Sequence, residues 1–494
     1  MMIQIPIINQ LLLLSLALIL PLVRKHRFQT IKIFGSLVLT AVFILSLVLM
    51  FNVRQSGAFL YQFGNYNSAI GIEYLIDDFS SLFGVFITGL SLLIFVYSLG
   101  DLAHEMVDKQ LGNYYTLALL MIFSMLGLNY TNDLFNIYVF MEILTLTTAG
   151  LIAIKQKREN YMSAFRYVLL NEIGSISFLF GIALLYMVTG HLNMTNLFNA
   201  VQVAYSIYPA NINLALAFML TGLAIKGGLF PLHIWLPDAH SNASSPSSAW
   251  LSGVVVKVYV IAMIKIIYRV LGTTILENSN IPTIIQVIAL LGMIFGSIFA
   301  IAQTDVKRML AYSSVSQIGY IFLGVGLITP LGLRAAFYQI FSHGFIKVAL
   351  FLTAGAFIYF KNKRLIKDFA GLGQILPLSL AIFSLAGIAM IGIPLTTGFI
   401  AKLYLGLAVI ALNDYLYLGI ILLSSILNVI YYLPIITNGF LKVPESGYVR
   451  PKLEKIPLTM LIPIIVIGLL IIGFGVLPNG LTNLIDGAVA SLIK

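Results

Sequence analysis

The sequence predicts an all-α membrane protein of about 14 transmembrane helices, and three observations predict it. Of the 494 residues, 60% are hydrophobic and only 9% are charged, too few charges to cover a water-soluble particle of that size. The apolar residues gather in runs of about 20, the length at which a helix crosses a bilayer. Lysine and arginine concentrate in alternate loops, as they do in polytopic chains.

Read for such runs, the sequence places helices one to fourteen at 3–23, 31–52, 79–99, 113–130, 133–154, 161–189, 211–235, 249–271, 283–303, 309–328, 333–360, 374–411, 417–440 and 458–479. The twelfth is too long for one straight span and contains Gly392, Pro394 and Gly398, so it is expected to be broken. The first is apolar from Met1 to Val23, and its basic cluster of Arg24, Lys25, His26 and Arg27 follows it. A signal peptide has the opposite order, so a retained span is expected. Loops after odd-numbered helices, with the helix ends beside them, hold most of the Lys and Arg, from Arg24 to Lys455; only Arg54, Arg269, Arg334 and Lys494 lie on the other side. This bias predicts odd loops in the cytoplasm and both termini outside, in the cell inner (plasma) membrane. The net charge of +10 is then a topogenic signal, and no nucleic-acid partner is implied. The absence of cysteine excludes thiolate-held iron–sulfur clusters, covalent c-type haem and disulfides.

Helices four to eight (113–271) and nine to thirteen (283–440) form two blocks of five. Because five is odd, the second block starts from the opposite side, as inverted repeats do. Residues 1–112 hold helices one to three, and 441–494 hold helix fourteen and the C-terminal segment. The fourth helix of each block carries a proline near a lysine: Lys226-Gly227-Gly228-Leu229-Phe230-Pro231 in helix seven, and Pro394-Leu395-Thr396-Thr397-Gly398 before Lys402 in helix twelve. Matching interruptions in two halves point to a transport site, so helices seven and twelve are expected to be broken there; incidental kinks are the alternative.

Six bases fall within helices: Arg166, Lys226, Lys257, Lys265, Lys347 and Lys402. The acids there are Glu142 and Glu172. A charge at the bilayer centre costs roughly 2.5–3.5 kcal/mol on insertion scales, so these residues need a purpose. Arg166 and Lys265 lie toward helix ends, where a long side chain is expected to reach the interface. The other four lysines have only two acids between them. Burial disfavours a charged lysine, which suits a proton carrier that alternates between states; helix-to-helix glue is the plainer alternative. Glu142 sits in Phe140-Met141-Glu142-Ile143-Leu144 and requires a cationic partner or a proton. Opening and closing an acid–lysine pair would release and hold a proton. Gln339, His343 and Lys347 are spaced to share one face of helix eleven, a candidate relay, although a lone histidine is more often a packing residue. Neither His233 nor His343 has a metal-ligand partner at suitable spacing, and phosphate-loop and dinucleotide fingerprints are missing. No metal or cofactor is therefore expected.

The segment Ala224-Ile225-Lys226-Gly227-Gly228-Leu229-Phe230-Pro231-Leu232-His233-Ile234-Trp235-Leu236-Pro237-Asp238-Ala239-His240 resembles the seventh helix of antiporter-like subunits. These occur in respiratory complex I (its L, M and N subunits), Mrp-type cation/proton antiporters (their A and D proteins) and membrane-bound hydrogenases. Phe140-Met141-Glu142, the segment from Thr304 to Ser314, and Phe341-Ser342-His343-Gly344-Phe345-Ile346-Lys347 agree with it. The resemblance covers roughly residues 70 to 440. It implies inverted repeats and a hydrated polar axis at mid-membrane. Glu142 matches the helix-five glutamate, and Lys226 its helix-seven lysine partner. Lys257 matches the connecting lysine of helix eight, His343 and Lys347 the helix-eleven pair, and Lys402 the terminal base of helix twelve. Gln339 stands where some members have a second histidine. Glu172 is unusual in helix six, where it either adds a branch or pairs with Arg166.

A chain ending about fifteen residues after helix fourteen is expected to lack the long lateral helix of the complex I L subunit. Lysine at 402, rather than the glutamate of the M subunit, points to the N subunit, the Mrp D protein or the hydrogenase equivalent. The wording from Pro237 to Ser241, and from Leu251 to Lys257, is most similar to membrane-bound hydrogenase and related archaeal-type complexes. The implied function is a proton- or sodium-translocating subunit without redox centres of its own, within a redox-driven oxidoreductase complex or an Mrp-type antiporter. Its implied partners are other membrane subunits, lipid, and protons or sodium ions. A free-standing cation/proton antiporter is the alternative.

Overall fold

The computed structural model describes residues 2–22, 27–66, 71–104, 106–362, 364–442 and 455–493. Among them, 12 helices are long and apolar enough to cross a membrane. The two remaining expected spans, eight and twelve, are helical but interrupted. Arg24, Lys25, Lys363, Arg450, Lys452 and Lys494, which belong to the loop-charge pattern, lie outside the described residues.

Burial sorts the helices into a centre and a rim. The apolar stretch of helix eleven, Pro330–Lys361, is 100% buried, and that of helix ten, Val306–Gly326, is 94% buried. Helices one, two, thirteen and fourteen bury only 33–39%. Helices enclosed by others form the core, so Ser313, Ser314 and Gln317 of helix ten and Gln339, His343 and Lys347 of helix eleven are sealed from lipid.

The interruptions have local causes. Helix seven runs Pro209–Lys226 and stops there instead of continuing to 235. Gly228 follows at φ +65°, a backbone state that suits glycine. The chain re-enters a helix at Leu236–Asn242. Trp235 turns back and donates its indole N–H to the Ile225 carbonyl at 2.8 Å, satisfying an acceptor freed by the break. Helix twelve is split as expected, into Pro377–Ile391 and Thr397–Ala411. Gly392 at φ +96° lies between the halves, and Thr396 caps the second by accepting from the Phe399 N–H. The halves press together closely. A Cβ on Gly398 would lie 1.8 Å from the Ala389 carbonyl oxygen. Helix eight begins at Ser245–Trp250, widens to a π-turn at Leu251–Val255, and continues as Val256–Lys265.

Other elements are too short to register as spans. An antiparallel hairpin pairs Phe59–Gln62 with Glu73–Ile76. A helix at Met194–Ile207 follows helix six, and another at Pro478–Ala490 follows helix fourteen.

Candidate functional site

The site begins at an acid–base pair. The Lys226 ammonium, on the last residue of helix seven, is 3.6 Å from Glu142 of helix five. It also donates to the Thr145 hydroxyl at 2.6 Å. Glu142 accepts from the Ser175 hydroxyl of helix six. The Thr145 oxygen is 3.4 Å from the Tyr259 hydroxyl of helix eight, and Lys226 lies over that ring at 5.8 Å. The lysine is wholly buried, but the Glu142 side chain is 21% exposed. The glutamate has the cationic partner its apolar neighbours call for, but it is not fully enclosed by this chain.

Two residues along helix eight the environment changes. Lys257 is fully buried and donates back to the Ser252 carbonyl, an oxygen within the π-turn. The Ser252 hydroxyl is 2.8 Å from that of Ser314 on helix ten, and Ser314 donates to the Leu310 carbonyl at 3.1 Å. That same carbonyl accepts from Lys347 of helix eleven at 2.7 Å. Lys347 also donates to Ser313, whose hydroxyl is 3.0 Å from that of Tyr432 on helix thirteen. Two main-chain carbonyls and a pair of serine hydroxyls thus lie between these buried lysines, and no carboxylate does. Tyr259 and Lys257 are two residues apart on one helix and do not face each other. Among the described residues no hydrogen bond joins them, so a proton crossing this gap requires a water or a side-chain movement.

Lys402 ends the row. It is the sixth residue of the second half of helix twelve, yet it folds back into the break. It donates to the Met390 and Ile391 carbonyls, both at 2.9 Å, and to Ser425 at 3.0 Å. These acceptors match the three N–H bonds of an ammonium. The carbonyls opened by the break are filled by the lysine itself. Tyr320 covers it, its ring 4.9 Å away. Asn428 donates to the Met390 carbonyl at 3.3 Å and accepts from Tyr431 at 2.5 Å. Tyr431 packs beside Tyr432, with centroids 4.7 Å apart, which brings the Lys402 cluster alongside the Lys347 cluster.

All six candidate residues fall within residues 131–428, which match the family model described as the transmembrane region of NADH:quinone oxidoreductase and Mrp antiporter proteins. The chain belongs to this family. It is 37% identical over 426 residues to the N subunit of NADH-quinone oxidoreductase from Desulforudis audaxviator, a match covering 84% of this chain and 82% of that protein. It is 28% identical to the D protein of the Na(+)/H(+) antiporter of Alkalihalophilus pseudofirmus, over 84% of this chain and 83% of that one. The fold matches a chain of the membrane-bound sulfane sulfur reductase, an archaeal respiratory membrane complex, with a TM-score of 0.88 and 29% identity; the match covers 100% of this chain and 97% of that one.

Beside these candidate residues, the structure reveals groups that spacing alone did not. Gln339 donates to Gln317 of helix ten at 2.7 Å, so the candidate relay on helix eleven is anchored at one end. His343 is fully buried with both ring nitrogens unpartnered among the described residues. His240 is in the same state, stacked on Phe351 of helix eleven at 4.9 Å and within electrostatic reach of Lys257, Lys307 and Lys347. It escaped notice because the short helix holding it lies past the expected end of helix seven. Two expectations need correcting. Lys265 does not reach the interface; it is fully buried and donates to the Leu128, Asn129 and Thr131 carbonyls. It caps helix four, whose last carbonyls have no partner within the helix. Arg166 does not pair with Glu172 but with Asp238, at 2.6 Å. Asp238 also binds Arg308, at 2.8 Å. Glu172 stands instead within electrostatic reach of Glu142 and Lys226.

Proposed function

We propose that the chain is a proton- or sodium-translocating antiporter-like subunit of a multi-subunit membrane complex, moving charge along Glu142, Lys226, Lys257, His343, Lys347 and Lys402. The observation that carries this reading is the set of lysines sealed inside the bundle. Lys257, Lys347 and Lys402 are held by carbonyls and hydroxyls, with no acid bonded to them among the described residues. A helix-stabilising ion pair would not need such an arrangement. The Ser252, Ser313 and Ser314 hydroxyls near Lys257 and Lys347 can each donate and accept, whereas the main-chain carbonyls that hold the lysines only accept, so a proton passing between the two lysines moves through hydroxyls and intervening water. Glu142 gives the row a switch: closed on Lys226 it holds the proton there, and withdrawn it lets the proton go.

The same carboxylates support membrane subunits as partners. Glu142 is part-exposed on helix five, with Glu172 close by. Both would meet hydrocarbon if the chain stood alone, at a cost of several kcal/mol on insertion scales. A neighbouring subunit that supplies polar or basic groups removes that cost, which favours the complex over a free-standing antiporter. The two five-helix blocks, 113–271 and 283–440, are read as inverted repeats meeting at the row. Placement in the inner membrane with both termini outside follows from loop charge.

Ion uptake into sealed inverted vesicles carrying the intact complex tests the reading. Glu142→Gln and Lys226→Ala should each abolish or severely reduce translocation while the complex still assembles. Normal pumping by both variants would overturn it.

A further inference from the structure

A second buried carboxylate lies far from the lysine row and has no base. Glu73, on the second hairpin strand, is 2% exposed. One of its oxygens, Oε1, accepts from Asn132 at 2.9 Å and from Asn193 at 2.6 Å. Its Oε2 is buried without any partner among the described residues, and so is the Oδ1 of Asn132, a residue 1% exposed. Backbone bonds hold these groups in place. The Asn132 N–H donates to the Glu73 carbonyl at 3.0 Å, and the Met194 N–H to the Asn132 carbonyl at 2.8 Å. Asp133 stands within electrostatic reach of Glu73 and caps helix five by accepting from the Asn136 N–H at 2.7 Å. Among the described residues, no ion pair reaches Glu73.

The protein alone leaves this glutamate, when ionised, as a buried charge with no ion-pair partner among the described residues, which is expensive. A proton or a cation on Oε2 removes that cost, since Oε1 already accepts two N–H bonds. A cation has the further effect of taking up the unpartnered amide oxygen of Asn132, which belongs to the same hydrogen-bonded pair. We propose that Glu73 and Asn132, with Asp133 adding negative potential, form a sodium-binding site where the hairpin meets the ends of helices four and six. Oxygen ligands select a hard cation. Asp133 is engaged by the helix-five N-terminus, which favours its charge, so one charge is left uncompensated. That suits a monovalent ion, whereas calcium would call for more carboxylate oxygens. The site would stitch three loops together through one ion, whatever ion the lysine row carries.

Equilibrium binding of radioactive sodium to the purified, unenergised complex tests this, with potassium and calcium as competitors. The wild type should show a saturable site that Glu73→Gln removes and that Asn132→Leu weakens by about tenfold or more. Glu142→Gln should leave it intact, so failure of the transport reading would not touch it. Sodium binding unchanged in Glu73→Gln, or lost in Glu142→Gln instead, would overturn the proposal. So would displacement by calcium in preference to sodium. Should Glu73→Gln not assemble, thermal unfolding of the wild type decides: its midpoint should rise in sodium chloride relative to choline chloride, and an equal midpoint in both would overturn the site.

Discussion

Lys226 and Lys402 are both buried lysines at broken helices, yet the protein holds them in opposite ways. Lys226 ends its helix and leans on a carboxylate that is itself open to the bundle surface. Lys402 sits past its break, turns back into it, and is held by two main-chain carbonyls and a serine. The first depends on a group that can be drawn away by whatever covers the surface. The second depends on backbone that cannot leave without moving half a helix. A signal from a neighbouring subunit therefore enters most easily at Glu142, and Lys402 responds to a change in the shape of its break. Lys257 and Lys347 lie between, each held by a main-chain carbonyl, with the Ser252 and Ser314 hydroxyls between them.

This contrast can be broken by substitution, and the largest effect is expected in its middle. Lys347→Met should reduce transport by about a hundredfold or more, the scale on which a positioned proton carrier contributes. It should disturb assembly less than Lys226→Met, because it leaves no carboxylate stranded. Ion uptake and complex yield, measured on the same membranes, read both quantities. Equal losses of yield would remove the distinction between the paired and unpaired lysines.

Gly398→Ala comes next. Its new methyl would meet the Ala389 carbonyl oxygen at 1.8 Å, so the halves of helix twelve must separate. Strain of about 1–3 kcal/mol is expected, with roughly tenfold slower transport as the carbonyls around Lys402 shift. Thermal unfolding and uptake assays check the two effects. Gly419→Ala, at a position with open space around it, should change neither.

Lys265→Met should separate stability from transport. It uncaps three carbonyls at the end of helix four, each costing about 1–3 kcal/mol if left unpaired. Uptake per assembled complex should hold near the wild-type value. A transport defect beyond the loss of assembled protein would place Lys265 in the ion path.

What could be read beforehand divides by physics. Spans and the split in helix twelve were legible because hydrocarbon imposes length and apolarity, and because glycine and proline mark broken helices. Lys226, Lys257, Lys347 and Lys402 were legible because a charge in a membrane helix is rare and costly. Their acceptors were not: a carbonyl freed by a break, or by the π-turn at Leu251–Val255, leaves no mark on residue type. Lys265 was misjudged, and the partial exposure of Glu142 was not foreseen, for one reason. Position along a helix says how deep a residue lies but not which way it faces, so a mid-helix glutamate proved part-exposed and an end-of-helix lysine fully enclosed. His240 and Glu73 lie on short elements between spans, where hydropathy gives no reason to look.

The central claim is that the unpaired lysines carry charge by gaining and losing it. Lys402→Arg tests this most directly, because arginine keeps a cation at the break but does not deprotonate in proteins. The measurement is ion uptake by sealed vesicles containing the assembled complex, beside Lys402→Ala as the variant lacking the charge. The account predicts that both variants assemble and that neither transports. Full transport by Lys402→Arg would mean that this site never needs to be neutral, and would contradict the relay.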